Sequence, residues 1–377
     1  MRIGFDAKRL YNNFTGLGNY SRTLVRDLEL FYPDDEYFLY TPSVHHCPTI
    51  DLFDNVPGHT TFVSPAMVKA YWRGCSIKKN LYQDQIDVFH GLSHEIPLNI
   101  HKTNVRSVVT IHDIIYKTYP DMFSAIDRCI YDFKFRYSCK YADKVVAISE
   151  STKRDIIRYF GTPEDKIEVV YQAINDTFYQ MQSEEEVEQR LKPYHLPCDY
   201  MLYVGSINSR KNLLSVVKAL RHLPSDLLVP LVVIGKGGAY KKEVQLYAER
   251  NQLSNRLIWL DSVNENRTLQ AFYQRASIFI FPSIYEGFGL PVAEALLCKT
   301  PVITSNVSSL PEAGGDFSCY VAPMDDVAMA ECMVEILSNP QKQEEMREEG
   351  YVFAHRQFDP HRLTSQMHHI YQELYSK

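Results

Sequence analysis

Residues 200–223 read YMLYVGSINSRKNLLSVVKALRHL. The run YMLYVGS (200–206) is apolar and ends at a glycine. A polar loop carrying Arg210 and Lys211 follows. NLLSVVKALRHL (212–223) then repeats its apolar residues at helical spacing. A buried strand feeding a helix is the repeating piece of a parallel sheet covered on both faces.

The pattern continues in both directions. Downstream, LVPLVVIG (228–235), RLIWL (256–260), SIFIFP (277–282), PVITS (301–305) and SCYVAP (318–323) read as strands. Helical stretches near 240–252 and 266–275 separate the first of them, and the chain after 323 is helical. Upstream, RIGFDA (2–7), YFLYTP (37–42), DVFHG (87–91), SVVTIHD (107–113), KVVAIS (144–149) and IEVVY (167–171) form a second series of strands. Helices are predicted at 19–31, 122–141 and 150–161, the last capped by Ser149 and closed by Gly161. The segment 172–198 is polar and holds Glu184, Glu185 and Glu186; it reads as a connection plus a solvated helix. The expected fold is α/β: two Rossmann-like, doubly wound parallel-sheet domains facing across a cleft, over 1–178 and 179–357. Ligands of such sheets bind beyond the carboxyl ends of the strands.

A length of 377 residues fits two domains. Hydrophobic residues make up 45% and charged residues 23%, as in ordinary folded proteins. The net charge of −6 gives no basic footprint, so no nucleic-acid partner is expected. The eight cysteines form no CxxC and no zinc spacing, and are expected to be reduced, mostly buried thiols in a reducing compartment. The pairs His45-His46 and His368-His369 are expected at the surface. MRIGFDAKRL runs straight into a strand and resembles neither a signal peptide nor an anchor, which points to a cytoplasmic protein.

Four strand ends carry candidate chemistry. In KRLYNNFTGLGNYS (8–21), Gly16 and Gly18 precede a helix, where backbone amides can approach a phosphate. The dinucleotide fingerprint is rejected: about ten residues separate strand and glycines, where that motif needs a tight turn. A flexible surface loop explains these glycines equally well. In TIHD, His112 ends a buried strand and either bonds a ligand oxygen or merely caps the strand; His90 is a weaker candidate of the same kind. In VGSINSRKN, Arg210 and Lys211 stand ahead of a helix, where cations oppose the dipole. A pyrophosphate would offset that cost through charge-assisted bonds, although most such dipeptides are simply solvated.

The fourth is EGFGLPVAE, residues 286–294. Pro291 suits the first position of a helix, which puts Glu286 in the loop and Glu294 in the first turn. Three explanations fit. Glu294 complements the dipole; the two acids form a glycosidase-like pair; or each accepts hydroxyls while the amides between them hold phosphates. The last uses every part and describes a nucleotide-sugar.

EGFGLPVAE, with its E-x7-E spacing, resembles the signature of the group 1 glycosyltransferases, glycosyltransferase family 4. VGSINSRKN, GLGNYS and TIHD resemble its other segments, in the same order, over nearly the whole chain. The tone of GFDAKRL…GLGNY is closest to bacterial mannosyltransferase-like members that build surface polysaccharides. The resemblance implies a GT-B fold, retention of configuration, a UDP- or GDP-sugar donor, no metal or other cofactor, and a terminal helix (358–377) that packs back on the first domain. It further implies that Glu286 binds donor-sugar hydroxyls and Glu294 the ribose. Arg210 and Lys211 would hold the pyrophosphate, and Phe288, Gly289 and Leu290 would offer backbone contacts. Gly16 and Gly18 would close over the diphosphate, and His112 would sit by the sugar. Base selection is placed in the loops Gly235–Tyr240 and Ser262–Val263. Ser206 departs from the family, many members of which are basic there.

Rival readings are an epimerase or glycogen-synthase-like enzyme of the same fold, or a non-catalytic nucleotide-sugar-binding protein. Two basic, aromatic stretches, 67–82 and 127–144, suggest contact with an anionic membrane that presents a lipid-linked acceptor; ordinary amphipathic helices explain them as well.

Overall fold

The computed structural model describes every residue except 55–57, 65–67, 264 and 377. The chain forms two compact units: Met1–Ala173 with Phe358–Lys377, and Ile174–Gln357. The division thus falls slightly before the boundary at 178 expected from sequence.

Among the described residues unit 1 holds seven strands: β1 (Arg2–Asp6), β2 (Glu36–Thr41), β3 (His59–Val63), β4 (Val88–Gly91), β5 (Arg106–Ile111), β6 (Lys144–Ala147) and β7 (Ile167–Val169). All pairings are parallel, in the order β3-β2-β1-β4-β5-β6-β7. Ile3 of β1 faces Tyr37 on one side and Val88 on the other. The strand order reverses between β1 and β4, which makes this the topological switch point. β3 was not foreseen. It is an edge strand, HTTFV, whose residues are mostly exposed or half-buried, so it lacks the apolar run of a central strand.

Among the described residues unit 2 holds six parallel strands: β8 (Met201–Val204), β9 (Leu231–Ile234), β10 (Leu257–Leu260), β11 (Ile278–Phe281), β12 (Val302–Ser305) and β13 (Cys319–Val321). Their order is β10-β9-β8-β11-β12-β13, so the switch point lies between β8 and β11. β9, β11 and β12 are buried throughout, as helices on both faces require.

The helix Pro360–Tyr375 belongs to unit 1. Asp359 caps it, Leu363 is buried, and Met367, Ile370, Tyr371 and Leu374 recur at helical spacing into the core that contains Ile3, Phe5 and Leu28. Tyr371 Oη lies 2.7 Å from His90 Nδ1. His368 corrects the expectation of a surface residue: it is buried, stacks on Tyr32, and bonds Asp35 at 2.7 Å.

The connecting segment forms the helix Glu184–Leu191, started by a capping box between Ser183 and Glu186. Its acids are solvated, while Val187 and Leu191 are buried. The cysteines differ from expectation. Cys319 and Cys332 form a disulfide, and Cys129 and Cys198 are exposed. Their pairing joins β13 to the helix Asp326–Leu337, a contact with no trace in the spacing.

Candidate active site

β8 leaves the sheet through Gly205, whose φ of 151° favours glycine. Asn208 then caps a tight turn, Ser209–Lys211, accepting the Lys211 N–H at 3.1 Å. Asn212 follows in the left-handed region at φ 58°. Its side-chain amide donates to the carbonyls of Pro282 and Pro323, tying this turn to the exits of β11 and β13. The Ile284 N–H donates to the Arg210 carbonyl at 2.9 Å, and Ser283 Oγ lies 3.1 Å from the same carbonyl oxygen. The sheet order makes this possible. β8 and β11 are neighbours, so the segments after them share the switch point.

Three side chains converge there on one oxygen, Glu286 Oε1. Lys211 Nζ lies 2.6 Å away and Arg210 Nη1 2.8 Å, and the Ser283 hydroxyl donates to the same atom. Lys211 Nζ also sits 4.4 Å above the Phe281 ring. All three charged groups are largely buried. Burial works against the Glu286 carboxylate, but Lys211 and then Arg210 outweigh it and hold its pKa below the usual range. Burial is also the largest influence on Lys211. With Arg210 it lowers the ammonium pKa, and Glu286 offsets part of that. The cluster carries two cations and one anion.

Serines missed in the sequence hold Glu286 in place. Its N–H donates to Ser308 Oγ at 3.0 Å. Ser309 Oγ donates to the carbonyls of Glu286 and Phe288, at 2.9 and 2.8 Å. Both serines follow β12, and only the strand order could have pointed to them.

Gly289 begins the helix Leu290–Leu297 at φ 117°, and a Cβ there would lie 3.0 Å from Leu310 Cδ2. Leu290, not Pro291, is the first helical residue, so Glu294 falls in the second turn. That removes the helix dipole as its explanation, since the effect fades beyond the first turn. Glu294 is half-buried and accepts from Tyr273 Oη at 3.1 Å. Burial raises its pKa to about 7, with the Tyr273 bond pulling the other way. Phe288 is buried.

The two loops expected to select the base differ in place. Gly235–Tyr240 follows β9 and touches the β8 exit, where the Ile207 N–H donates to the Lys236 carbonyl at 2.8 Å. Val263 is half-buried in the loop after β10, at the far edge of the sheet.

Gly16, Gly18 and His112 belong to unit 1. The glycines are not in a loop: the helix begins at Gly16 and runs to Phe31. Gly16 is exposed. The Gly18 N–H donates to the Thr15 carbonyl and to Asn13 Oδ1, and a Cβ on Gly18 would fall 1.7 Å from the Asn13 carbonyl oxygen. Close packing therefore requires this glycine. His112 is buried with both ring nitrogens engaged. Nε2 lies 2.8 Å from the Leu92 carbonyl and Nδ1 2.9 Å from the Gln172 amide nitrogen. Burial lowers its pKa to about 4, so it is neutral near pH 7. His90 is likewise buried, between Tyr371 and Thr110, and its pKa is lowered to about 3 by burial.

Comparison with known proteins agrees with this architecture. Residues 15–178 match the model "Glycosyltransferase Family 4", and residues 195–353 match "Glycosyl transferases group 1". The O-antigen chain mannosyltransferase B of Escherichia coli is 29% identical over 99% of this chain and 100% of its own length. Among solved structures, a sucrose-phosphate synthase from Thermosynechococcus elongatus superposes with a TM-score of 0.81 at 19% identity, covering 100% of this chain and 99% of that one. HepE of Anabaena, solved with UDP and glucose, gives 0.76 at 16% identity over 99% and 100% of the two chains. The chain belongs to the group 1 glycosyltransferases, glycosyltransferase family 4, and has their GT-B fold of two Rossmann-like domains.

Proposed function

We propose that the protein transfers a hexose, mannose in our reading, from a UDP- or GDP-sugar to a glycan or lipid-linked hydroxyl during surface polysaccharide synthesis. The observation that carries this is the buried Arg210–Lys211–Glu286 cluster at the switch point of unit 2. It places surplus positive charge where α/β sheets bind ligands. The mannose assignment is supported by likeness to the O-antigen chain mannosyltransferase.

In this proposal Arg210, Lys211 and the amides of Gly289 and Leu290 take the diphosphate. Phe288 packs beneath the loop. Glu294 takes the ribose diol, and Val263 and the Gly235–Tyr240 loop border the base. Glu286 is held by its Oε1, so its second oxygen accepts donor-sugar hydroxyls. The bond from sugar C1 to the phosphate oxygen breaks, and positive charge grows on the ring. Negative charge grows on the departing phosphate, where the two cations act most strongly. The acceptor oxygen bonds C1 from the same face, and its proton passes to the departing phosphate. Configuration is retained and no metal is used. From unit 1, Gly16 and Gly18 shape the donor's cover, and His112, neutral and fixed, orders the strand end beside the sugar. The test is transfer by Lys211→Ala and Glu286→Gln: near wild-type turnover in both would sink the assignment. Incubation with donor alone, followed by product analysis, separates the epimerase reading from transfer.

A peripheral membrane seat, on the inner face of the cytoplasmic membrane, is a second part of the proposal. No helix among the described residues is long and apolar enough to cross a membrane. The helix Ala125–Tyr141, however, exposes Ile126, Ile130 and Phe133 along one stripe, with Arg136 and Lys140 exposed further along it. Apolar insertion flanked by cations suits an anionic lipid surface. The stretch 67–82 contributes less than expected. Trp72 is buried against Phe62, and Met67 lies outside the described residues. Flotation with phosphatidylglycerol vesicles at low salt tests this, and Ile130→Glu/Phe133→Glu should abolish it.

A further inference from the structure

The carboxyl edge of the unit 1 sheet carries the motifs, but its amino edge carries a groove of about 880 Å³ that no motif marks. The residues leading into β4 and β5, the end of the helix Lys78–Gln83 and the last turn of Pro360–Tyr375 form its walls. The size falls within the roughly 300–1,000 Å³ of small-molecule sites.

Its chemistry is specific. Two tyrosines stand at its rim, Tyr82 at 83% exposure and Tyr375 at 58%. Neither ring stacks on another ring among the described residues. Ile86 and Val105 line the groove as apolar surface. The side-chain amides of Gln83 and Asn104 reach it from exposed positions, and neither makes a hydrogen bond among the described residues. Two cations, Lys78 and Arg106, and one acid, Asp87, line it. Arg106 is 3.8 Å from Asp143, and Asp87 accepts the Arg2 N–H at 2.7 Å. Of the two lining cations, Lys78 and Arg106, the second is drawn to Asp143, so a phosphate would meet Lys78 alone among the described lining residues.

A pyranose has a face of C–H bonds and a rim of hydroxyls that both donate and accept. Aromatic faces, being negative, attract the first. Primary amides, with donors and an acceptor on one group, match the second. We propose that this groove binds neutral oligosaccharide, and holds earlier sugars of the glycan acceptor away from the reacting end. The acceptor role rests on the function proposed above; the binding itself does not. β4 and β5 are four and six residues long. The groove is thus roughly 13–20 Å from the carboxyl edge, and only an acceptor several sugars long reaches both.

The test uses the full chain and a neutral mannose hexasaccharide. Calorimetry without donor should give a Kd of about a millimolar, weakened about ten-fold in Tyr82→Ala/Tyr375→Ala. In transfer assays the variant should show a raised KM for the hexasaccharide, with unchanged kcat and unchanged kinetics on methyl mannoside. Equal binding by variant and wild type, or no binding by wild type, overturns the groove. Weakened binding with an unchanged hexasaccharide KM overturns its acceptor role. Transfer failing with every donor, while binding is still lost in the variant, would remove the function proposal and leave the groove standing.

Discussion

The two sheets end in different chemistry. At the carboxyl edge of unit 1, His90, His112, Thr110 and Gln172 bond one another or nearby backbone, and the histidines are held neutral. At the same edge of unit 2, Arg210, Lys211 and Glu286 are charged and share one oxygen. Both sets are buried, and burial penalises charge more than neutral polarity. The ends of β4 and β5 in unit 1 avoid that cost, whereas at the end of β1 the buried Asp6 is paired with Arg73, which also bridges Glu95. The unit 2 edge bears it, which makes sense where a ligand brings its own charge. The ends of β4 and β5 in unit 1 are thus neutral, and the switch point of unit 2 is charged.

Lys211→Ala tests this most severely. The substitution removes the closer cation from Glu286 and leaves the carboxylate to Arg210 and the Ser283 hydroxyl. Transfer should fall by about 10²–10³-fold, the range for losing one group that stabilises developing negative charge. A thermal melt separates this from unfolding, since breaking a buried pair also costs about 3–5 kcal/mol of stability. Arg210→Ala should lose less, because Arg210 is the more distant contact and is also held by the Tyr285 carbonyl.

His112→Ala should act on the fold as much as on turnover. It strands the Leu92 carbonyl and the Gln172 amide, each at about 1–3 kcal/mol. The melting midpoint should drop together with activity. In the wild type, the pH–rate profile should show no step that belongs to His112, because His112 stays neutral above about pH 4; a step near pH 7 belongs to Glu294 and should persist in His112→Gln. A step at 6.5 that vanishes in His112→Gln would break the contrast between the two edges. Gly18→Ala should likewise show as lost stability, since the new Cβ meets backbone that cannot give way. Activity per folded molecule should change less.

How much of this the sequence revealed follows from what each feature depends on. Central strands such as SIFIFP are visible because a strand covered on both faces must be apolar throughout. The edge strand β3 is half-solvated and carries no such signature. Arg210, Lys211 and Glu286 could each be picked out by residue type and place. Their convergence on one oxygen could not, because it needs β8 beside β11, across more than 70 residues of chain. The start of the helix at Gly16 was hidden by glycine's poor helix propensity. A shift of one residue, Leu290 for Pro291, changed the explanation of Glu294.

Glu294 supplies the finest test, because it shares its loop and helix with Glu286 yet is shifted the opposite way. Its folded pKa is about 7, against an ordinary 4.5. Between those values the native state holds a proton that the unfolded chain releases. Stability therefore falls as pH rises from about 4.5 to about 7, and the penalty is constant above that. Glu294→Gln removes the penalty. The variant should melt with wild type at pH 4.5 and above it at pH 8, by on the order of a few degrees. A ribose diol donates to the carboxylate and favours its charged form. Adding GDP or UDP to the wild type should then raise the melting midpoint more at pH 8 than at pH 6, and this pH dependence should vanish in the variant. Loss of the nucleotide shift at both pH values, with no change in the ligand-free melt, would place Glu294 in direct contact but deny the buried proton. Retention of the shift and of its pH dependence would remove Glu294 from the ribose and leave only its hydrogen bond to Tyr273 as its role.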